Sequence, residues 1–562
     1  AWTLPAAHLQ ALADARTAAL GGGELSRALA RAVATVAPVA DASDIAWSDY
    51  LEHLARARAL ADGVLLDVIA GDDRVVPGDT VALEVLARNT GGATTDPLKA
   101  VLSPRGGALF RTELDGALAP GELRRSRFGF RLPAEWAPTT PYYLRAPRDG
   151  DLYRWEGDPA LRGAAAGPDE LALSLEAPGA DPHRDGLAWH LARGASSRVR
   201  DQANGEIRRP LTVVPRVSVT LAPEVAVVRA DARGEARVAR FEVTLTHAGE
   251  GVARGTVRLT LPWRGVRAPS APFTLDGPGA EARVAFAVAV PEEVPPGSAT
   301  IGAEAVDEAG QRYTLGAFTV DYPHIRPRQY TRPAESRVEV MALAAPVARR
   351  VGYVRGAADR IPEALAAAGL TVTLLDSTAL ASGDLGRYDV IVVGPRAYEV
   401  DSALVRHNAR LLDYARAGGR VVVQYQQQVF VQGSFAPFPV TESNPADRIT
   451  DEGSPVAMLG EAPGRSSVAA LFRAPNAIGP EDWQGWIQDR ALYCLHSWDP
   501  RYTSLLSSSD PGEAPLGGCL VQARVGRGTY LYTGLAFFRQ LPAGVPGAFR
   551  LFYNLLGGAA TP

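Results

Sequence analysis

Polar and aromatic side chains that can contact a small ligand are concentrated in the loops of residues 351–399. Apolar runs at 350–354, 371–375 and 390–393 alternate with helical patterns, which is typical of a parallel sheet covered on both faces. In such sheets, ligands bind beyond the carboxyl ends of the strands, where the strand order reverses. We therefore expect a small-molecule site in these loops. Its candidate ligand-binding residues are Tyr353, Arg355, Asp359, Arg360, Arg396, Tyr398 and Glu399.

A second set of such side chains lies nearer the end of the chain, in segments that mix aromatic residues with amides, carboxylates and arginine. The segments cover residues 447–452, 483–490, 496–502 and 532–542. This mixture suits recognition of a polyhydroxylated ligand, and it also suits a domain interface, where Trp, Tyr and Arg are enriched. Both alternatives stay open. The candidates here and at the end of the apolar run 419–424 are Gln424, Tyr425, Asp451, Glu452, His496, Trp498 and Arg539.

An acid–base pair is the simplest catalytic hypothesis for this second set. Asp451 or Glu452 would supply one partner and His496 the other. A catalytic site in this domain would also bring Arg355, Asp359, Glu399, Gln424 and Asp451 into one solvent-filled pocket. Nothing in the sequence indicates that these residues meet, so the catalytic residues stay unassigned.

Motifs for metal, phosphate or serine-nucleophile chemistry are absent from the sequence. The eight histidines are scattered, with no HxH, HExxH or CxxC motif. Neither GxxxxGK[ST] nor GxSxG occurs. We expect this chain to bind no metal and no cofactor. The only two cysteines, Cys494 and Cys519, are interpreted as free buried thiols, although their spacing does not exclude a disulfide.

Composition narrows the class of protein. A chain of 562 residues is too long for one hydrophobic core and predicts several domains. Its apolar and charged fractions, 46% and 21%, are ordinary for a globular protein. The net charge of −4 gives no basic field for nucleic acid. No apolar run approaches the roughly 18 residues of a membrane span, so we expect neither nucleic acid nor a membrane span.

Periodicity divides the chain into five parts. Residues 1–63 show helical patterns, and residues 64–213 alternate with period two, as in an antiparallel β-sandwich, with an aromatic-rich insertion at 142–155. Residues 214–322 repeat the alternation over a length that fits a second, immunoglobulin-like β-sandwich. Residues 323–339 are rich in Pro and Arg and are predicted to be an ordered linker. Residues 340–562 form the α/β domain that contains the candidate site.

A family resemblance rests mainly on residues 323–557. It runs from VGYV at 351–354 through DRIPEAL, YDVIVVGPRAYE, GGRVVVQYQQ, DRITDE and WDPRYT to GRGTYLYTGLAFFRQLPAGVPGAFRLFYNLL. The sequence resembles the C-terminal region of large secreted bacterial PIG-L (LmbE-like) deacetylase-family proteins. In that family, a zinc-dependent N-acetylglucosaminyl deacetylase domain precedes helices, β-sandwich modules and a class I glutamine amidotransferase-like domain. The resemblance thus implies a flavodoxin-like fold for residues 340–562.

Two departures from the family pattern limit what the resemblance implies. The His-Pro-Asp-Asp metal motif of the deacetylase is absent, so zinc is implied only for a domain upstream of Ala1. An active amidotransferase needs a Cys nucleophile on a tight turn after a strand like 421–423. Here that strand runs into Gln424-Tyr425-Gln426-Gln427. Glutaminase activity is therefore not expected, and the domain is more similar to the trehalose-utilisation-like branch of the fold.

The resulting functional expectation is an accessory, non-catalytic part of a PIG-L-type N-acetyl-sugar deacetylase that serves glycan binding or assembly. One alternative is a stand-alone extracellular structural or binding protein, which would self-associate or join an envelope assembly. The other is a sugar-active enzyme that uses the strand-end residues of the α/β domain. The resemblance implies a secreted, periplasmic or cell-surface location.

Overall fold

The computed structural model describes residues 4–21, 24–36, 45–95, 97–105, 110–111, 114–149, 152–154, 161, 163, 167–176, 190–460 and 469–557. The protein is a multidomain, strand-rich chain with several antiparallel sheets and few helices. Within these described residues, no helix has the length and apolar character needed to cross a membrane.

Three helices begin the chain, as their helical patterns predict: α1 (Ala6–Gly21), α2 (Leu25–Val36) and α3 (Ile45–Ala61). They share a small core that includes Val33, Val36 and Trp47. Ala59, near the end of α3, belongs instead to the core of the next region. Helix α3 therefore packs against the strands that follow it.

The next region, up to residue 213, contains two main sheets around one core. The five-stranded sheet has the order β10-β9-β1-β3-β6, and the four-stranded sheet has the order β5-β4-β7-β8. Val85 from the first sheet and Leu173 from the second are fully buried in the shared core. In the aromatic-rich insertion, Tyr143 packs edge-on against Tyr142 and Tyr153, whereas residues 151 and 155 lie outside the described part. The strands are β1 (Val64–Ala70), β2 (Arg74–Val75), β3 (Thr80–Asn89), β4 (Lys99–Pro104), β5 (Phe110–Arg111), β6 (Leu123–Arg131), β7 (Leu171–Glu176), β8 (His190–Gly194), β9 (Ser196–Asp201), β10 (Gly205–Pro210) and β11 (Thr212–Val213).

The third region also builds one core between two sheets. Strands β12-β14-β17 form one sheet, and β13-β22-β18-β15-β16, with β19 on β18, form the other. Val243 and Ile301 are fully buried between them. The strands are β12 (Val217–Ala222), β13 (Val225–Arg229), β14 (Val238–His247), β15 (Val252–Thr260), β16 (Ser270–Asp276), β17 (Glu281–Ala289), β18 (Gly297–Asp307), β19 (Arg312–Tyr313), β20 (Leu315–Val320), β21 (Arg328–Pro333) and β22 (Glu335–Met341).

The segment 323–339 is not simply a linker, which corrects the sequence-based prediction. Its residues form β21, which pairs with β20, and most of β22, which lies between β13 and β18. Val338 of β22 is fully buried in the core of this region, while Arg337 beside it faces outward. The Pro- and Arg-rich composition concealed the period-two alternation of β22.

The last region is a seven-stranded sheet with helices on both faces. Its order is β24-β23-β25-β26-β35-β34-β32, in which the first five strands are parallel and the last two are antiparallel additions. One face packs against α4 and α10, and the other against α5 and α7. The runs predicted at 350–354 and 390–393 coincide with β23 and β25.

This region contributes the remaining elements. The helices are α4 (Ile361–Ala367), α5 (Ser377–Ser382), α6 (Ala397–Val400), α7 (Ser402–Arg416), α8 (Gln428–Gln432), α9 (Phe537–Gln540) and α10 (Pro546–Gly557). The strands are β23 (Arg350–Val354), β24 (Thr371–Leu374), β25 (Val390–Val393), β26 (Arg420–Gln424), β27 (Val440–Thr441), β28 (Asp447–Ile449), β29 (Val456–Met458), β30 (Ala491–Cys494), β31 (Ser497–Trp498), β32 (Tyr502–Ser504), β33 (Leu506–Ser508), β34 (Leu520–Val525) and β35 (Gly528–Thr533).

The two cysteines are joined, so the interpretation as free thiols was wrong. Cys494 at the end of β30 forms a disulfide with Cys519, which directly precedes β34. Both side chains are fully buried. The bond closes a loop of 25 residues in sequence separation and fixes β30 beside the seven-stranded sheet.

Candidate functional site at the carboxyl edge of the parallel sheet

The loops after β23 and β25 meet closely at the carboxyl edge of the sheet. A Cβ on Gly394 would lie 2.2 Å from Asp359 Oδ2, and a Cβ on Gly356 would lie 2.0 Å from the carbonyl oxygen of Pro395. Only glycine permits both approaches. The sequence therefore sets the two loops in contact at the edge where the candidate residues were expected.

Tyr353, Asp359 and Gln424 form a buried network beneath these loops. Gln424 Nε2 donates to Tyr353 Oη at 2.9 Å, and Tyr353 Oη donates to Asp359 Oδ2 at 2.8 Å. The Asp359 carboxylate also accepts from the backbone N–H groups of Gly356 and Ile361. Burial raises the pKa of Asp359 despite these hydrogen bonds. Since all three side chains are at most 4% exposed, they hold the loops in place and do not line an open pocket.

Three more candidates in these loops are either engaged in other contacts or exposed at the surface. Arg355 donates to Glu363 Oε1 at 2.5 Å and to the carbonyl of Asp359. Arg360 is exposed at the start of α4. Tyr398 is buried, where its hydroxyl donates to Asn408 Oδ1 at 2.6 Å.

Arg396, Glu399, Tyr425 and Arg539 are brought together with three residues that the sequence analysis did not select. We call the seven residues the strand-end cluster: Arg396, Glu399, Tyr425, Gln427, Tyr493, Phe538 and Arg539. They come from the segments that follow β25, β26 and β35, which include helices α6 and α9, and from β30.

Ring contacts form the aromatic part of the strand-end cluster. The rings of Tyr425 and Tyr493 stack with centroids 5.6 Å apart and an interplanar angle of 10°. Phe538 packs on Tyr425 at 5.3 Å, and the guanidinium of Arg539 lies 5.0 Å from the Phe538 centroid. Burial raises the pKa of the Tyr425 hydroxyl, and the positive charges of Arg396 and Arg539 oppose that rise.

Hydrogen bonds connect the polar part of the cluster. Arg396 Nε donates to Glu399 Oε2 at 2.8 Å. With its amide nitrogen facing Glu399, Gln427 donates to that carboxylate at 3.0 Å, and its amide oxygen accepts from Tyr493 Oη at 2.9 Å. This orientation satisfies both ends of the amide. The aromatic rings, the amide and the ion pair are therefore connected into one surface, of which Tyr493, Phe538 and Arg396 are only partly buried.

Glu442 adds an unusual carboxyl beside this cluster. Within the described part of the chain, neither of its buried carboxyl oxygens has a hydrogen-bond partner. Burial and, to a smaller extent, the charge of Glu399 raise the pKa of Glu442 to about 7. The side chain can thus exchange a proton near neutral pH, which is what a general acid or base requires.

Four residues of this site, Gln427, Glu442, Tyr493 and Phe538, are not among the candidates predicted from the sequence. Phe538 precedes Arg539 directly and Gln427 lies two residues after Tyr425, so both could have been added on the ground of their position. Glu442 and Tyr493 come from segments distant in sequence, and no local pattern marks them. Only the pairing of β27 with β31 and of β28 with β30 brings them to this edge.

The remaining candidates lie elsewhere, which corrects two hypotheses. His496 is largely exposed, and its Nδ1 lies 2.9 Å from Asp447 Oδ2, so it pairs with Asp447 and not with Asp451 or Glu452. The side chain of Asp451 accepts from the N–H of Gly453 at 2.7 Å. Together with the burial of Asp359 and Gln424, this arrangement excludes the single solvent-filled pocket.

Trp498 and Glu452 lie outside the strand-end cluster, one against a hydrophobic core and the other in a separate cavity. Trp498 in β31 pairs with Val440 of β27 and packs, partly buried, on the core of one sheet face. Glu452 lines a separate cavity of about 510 Å³ together with Trp483, Gln484 and Arg490. Among the residues described, no group of three or more His, Cys, Asp or Glu side chains is placed to hold a metal ion.

Fold and site thus define a multidomain, strand-rich protein with a mixed aromatic and polar surface at the carboxyl edge of a parallel sheet. No family model and no curated protein matches the chain. Among solved structures, red sea bream transglutaminase is similar at 11% identity over 50% of this chain and 31% of that chain, with a TM-score of 0.22. Trypsin-activated alpha-2-macroglobulin from Escherichia coli matches at 14% identity over 51% of this chain and 17% of that chain, with a TM-score of 0.17. The chain spans less than a third of either structure, and similarities this weak carry no argument about its function.

Proposed function

We propose that the protein is the accessory, non-catalytic part of a PIG-L-type N-acetyl-sugar deacetylase and binds glycan at its strand-end cluster. The zinc-dependent domain would belong to a segment upstream of Ala1. We also propose that the chain is divided into the five parts predicted from its sequence. The one change is that residues 328–333 and 335–341 form strands β21 and β22.

A flavodoxin-like, amidotransferase-like fold is proposed for the last region because of its strand order. Numbered along the chain, the five parallel strands follow the order 2-1-3-4-5, which is the order of flavodoxin-like sheets. Immunoglobulin-like folds are proposed for the two preceding regions, whose cores are separate and each lie between two sheets.

A binding role is preferred to glutaminase chemistry because the chain lacks an available thiol. The residues after β26 are Tyr425 and Gln426, neither of which is a nucleophile of that class. Cys494 and Cys519 are consumed in the disulfide. The disulfide also supports a secreted, periplasmic or cell-surface location, since such bonds persist in oxidising compartments.

The strand-end cluster is the observation that carries the proposal of glycan binding. An aromatic ring such as Tyr493 can cover the apolar face of a sugar ring, while amide, carboxylate and guanidinium groups hydrogen-bond its hydroxyls. Gln427, Glu399 and Arg396 provide these groups within hydrogen-bonding contact of one another. Small-molecule sites combine apolar surface with a few convergent polar groups in this way.

Glu442 favours a second candidate function, a sugar-active enzyme. A carboxyl that is half protonated near pH 7, beside an arginine-paired carboxylate, resembles the division between acid and base in carboxylate-based hydrolysis. Its oxygens are covered by protein atoms, so this candidate requires Glu442 to become accessible when substrate binds. For this reason we rank it second.

Isothermal titration calorimetry with N-acetylglucosamine oligomers and cello-oligosaccharides tests the primary proposal. The double variant Gln427→Ala/Tyr493→Ala removes both the amide and the aromatic ring and is expected to weaken binding at least tenfold. Arg360→Ala removes an exposed side chain from the same edge outside the cluster and is expected to bind as the unmodified protein does. Absence of binding by the unmodified protein refutes glycan recognition of these classes, and unchanged affinity in the double variant refutes its location.

A further inference from the structure

A cavity of about 510 Å³ lies close to the strand-end cluster, and the proposed function leaves it unused. It is lined by Glu452, Met458, Trp483, Gln484, Trp486 and Arg490, among other residues. Its volume falls within the range of small-molecule sites, roughly 300–1,000 Å³. We call it the tryptophan cavity.

Arg490 gives the tryptophan cavity an unusual wall. The side chain is 1% exposed, and its guanidinium lies 5.6 and 5.1 Å from the ring centroids of Trp483 and Trp486. It donates to the backbone carbonyls of Trp483, Glu452 and Ser454. Burial lowers the pKa of Arg490 only to about 10, so the side chain stays charged at neutral pH.

Arg237, elsewhere in the chain, shows what a purely structural buried arginine looks like here. Its Nε, Nη1 and Nη2 all donate to backbone carbonyls. Arg490 differs because its Nε has no acceptor, and neither has Trp483 Nε1 beside it. Both atoms are covered by protein atoms, so the polar side chains that a ligand in the cavity can reach are those of the exposed Gln484 and the partly buried Glu452. A few polar groups of this kind orient a ligand in a small-molecule site.

Helix α9 connects the tryptophan cavity with the strand-end cluster. Phe537 packs on Trp486 at 5.8 Å, on the cavity side, whereas the next residue, Phe538, packs on Tyr425 at 5.3 Å, on the cluster side. Arg539 forms an ion pair with Asp489, the neighbour of Arg490 in sequence. About a quarter of each of these two charged side chains is exposed, so the ridge between the two sites presents polar groups to solvent.

We propose that the tryptophan cavity is a second subsite of the strand-end cluster, so that the ligand is a chain of linked sugar rings that crosses the Arg539–Asp489 ridge. One ring contacts Tyr493 and Gln427, the ridge offers hydrogen bonds to the connecting hydroxyls, and a further ring enters the cavity beside Gln484. The inference rests on the proposed function because it names the ligand class of the same site. It adds that a single sugar fills only part of that site.

Affinity as a function of oligomer length tests this inference. N-acetylglucosamine and its β-1,4-linked oligomers of two to six units are titrated into the full chain by calorimetry, with cello-oligosaccharides in parallel. We expect affinity to rise at least tenfold at the length that reaches the cavity and to level off beyond it. The variants Gln484→Ala, which trims an exposed cavity side chain, and Val456→Trp, which fills the cavity, are expected to lose most of that gain.

The outcomes separate this inference from the proposed function. Gln202→Ala, an exposed glutamine in the turn between β9 and β10, is the matched control and should retain the full gain. Binding that does not depend on oligomer length, or cavity variants that keep the gain, overturns the second subsite while glycan binding stands. Absence of binding at every length overturns both. Near-ultraviolet circular dichroism of each variant verifies that it is folded.

Discussion

Replacing Glu442 by Gln tests whether this carboxyl is buried without a partner. Its pKa is raised from 4.5 to about 7. Because the folded-state pKa exceeds the unfolded one, the protonated carboxyl favours the folded state at low pH. That contribution is lost as pH rises from about 4.5 through 7. A difference of about 2.5 pKa units corresponds to about 3.5 kcal/mol at about 1.4 kcal/mol per unit, and partial exposure reduces the effect toward about 2 kcal/mol.

The Glu442→Gln variant carries no ionisable group, so its stability relative to the unmodified protein should rise by about 2–3 kcal/mol between pH 4.5 and pH 8.5. Any constant effect of the amide, such as an unsatisfied N–H, is the same at each pH and does not enter this difference. Urea unfolding monitored by tryptophan fluorescence at four pH values measures it.

Glu363→Gln is the matched control for this experiment. Arg355 lowers the pKa of Glu363 below 4.5, so the stabilisation from that pair is complete above pH 4.5 and is lost only in more acidic solution. The free energy of unfolding of the Glu363→Gln variant should therefore differ from that of the unmodified protein by an amount that is independent of pH between 5 and 8.5. A flat profile for Glu442→Gln as well would refute the inference that its burial raises the pKa.

Three further experiments test the buried network at Tyr353, the disulfide and strand β22. Tyr353→Phe removes two buried hydrogen bonds and should lower the free energy of unfolding by about 2–3 kcal/mol. Tyr322→Phe, which changes an exposed side chain, should alter that free energy by less than about 0.5 kcal/mol. Replacing Cys494 and Cys519 by Ser should cost about 3 kcal/mol in urea unfolding, as expected for a loop of 25 residues, and a reducing agent should then have no further effect. Val338→Ala should cost about 2 kcal/mol because it opens a cavity in a strand; a neutral result would mean that the segment behaves as a linker after all.

The central strands were predictable because their burial on both faces leaves a clear pattern. β23, β25 and β26 are short, nearly continuous apolar runs bounded by turn residues, as expected for strands inside a parallel sheet. β22 was missed because half of its residues are polar or charged and prolines precede it. Composition indicated a linker there, whereas long-range pairing with β13 and β18 determined the structure.

The sequence predicted which residues lie at the carboxyl edge of the sheet, but not which of their side chains face the site. The rule that ligands bind at carboxyl strand ends selected Arg396, Glu399 and Tyr425, which the fold brings together. The rule does not indicate which side chains turn inward, so it also selected Tyr353 and Asp359, which are buried beneath the loops. Direction of a side chain depends on tertiary packing, and no pattern in the local sequence specifies it.

Backbone strain is concentrated in the loops at the carboxyl edge of the sheet and in the segments next to the two proposed subsites. Among the residues described, five non-glycine residues have a positive φ, and four of them, Ala358, Arg396, Gln488 and Tyr493, belong to the carboxyl-edge loops or to the segments that flank the ridge. Each such conformation costs roughly 1–3 kcal/mol and persists only where surrounding contacts impose it. Tyr493 is held by its stack on Tyr425, its bond to Gln427 and the hydroxyl of Tyr532 on its carbonyl. The strain at Tyr493 is therefore imposed by contacts that also set the orientation of its ring in the strand-end cluster.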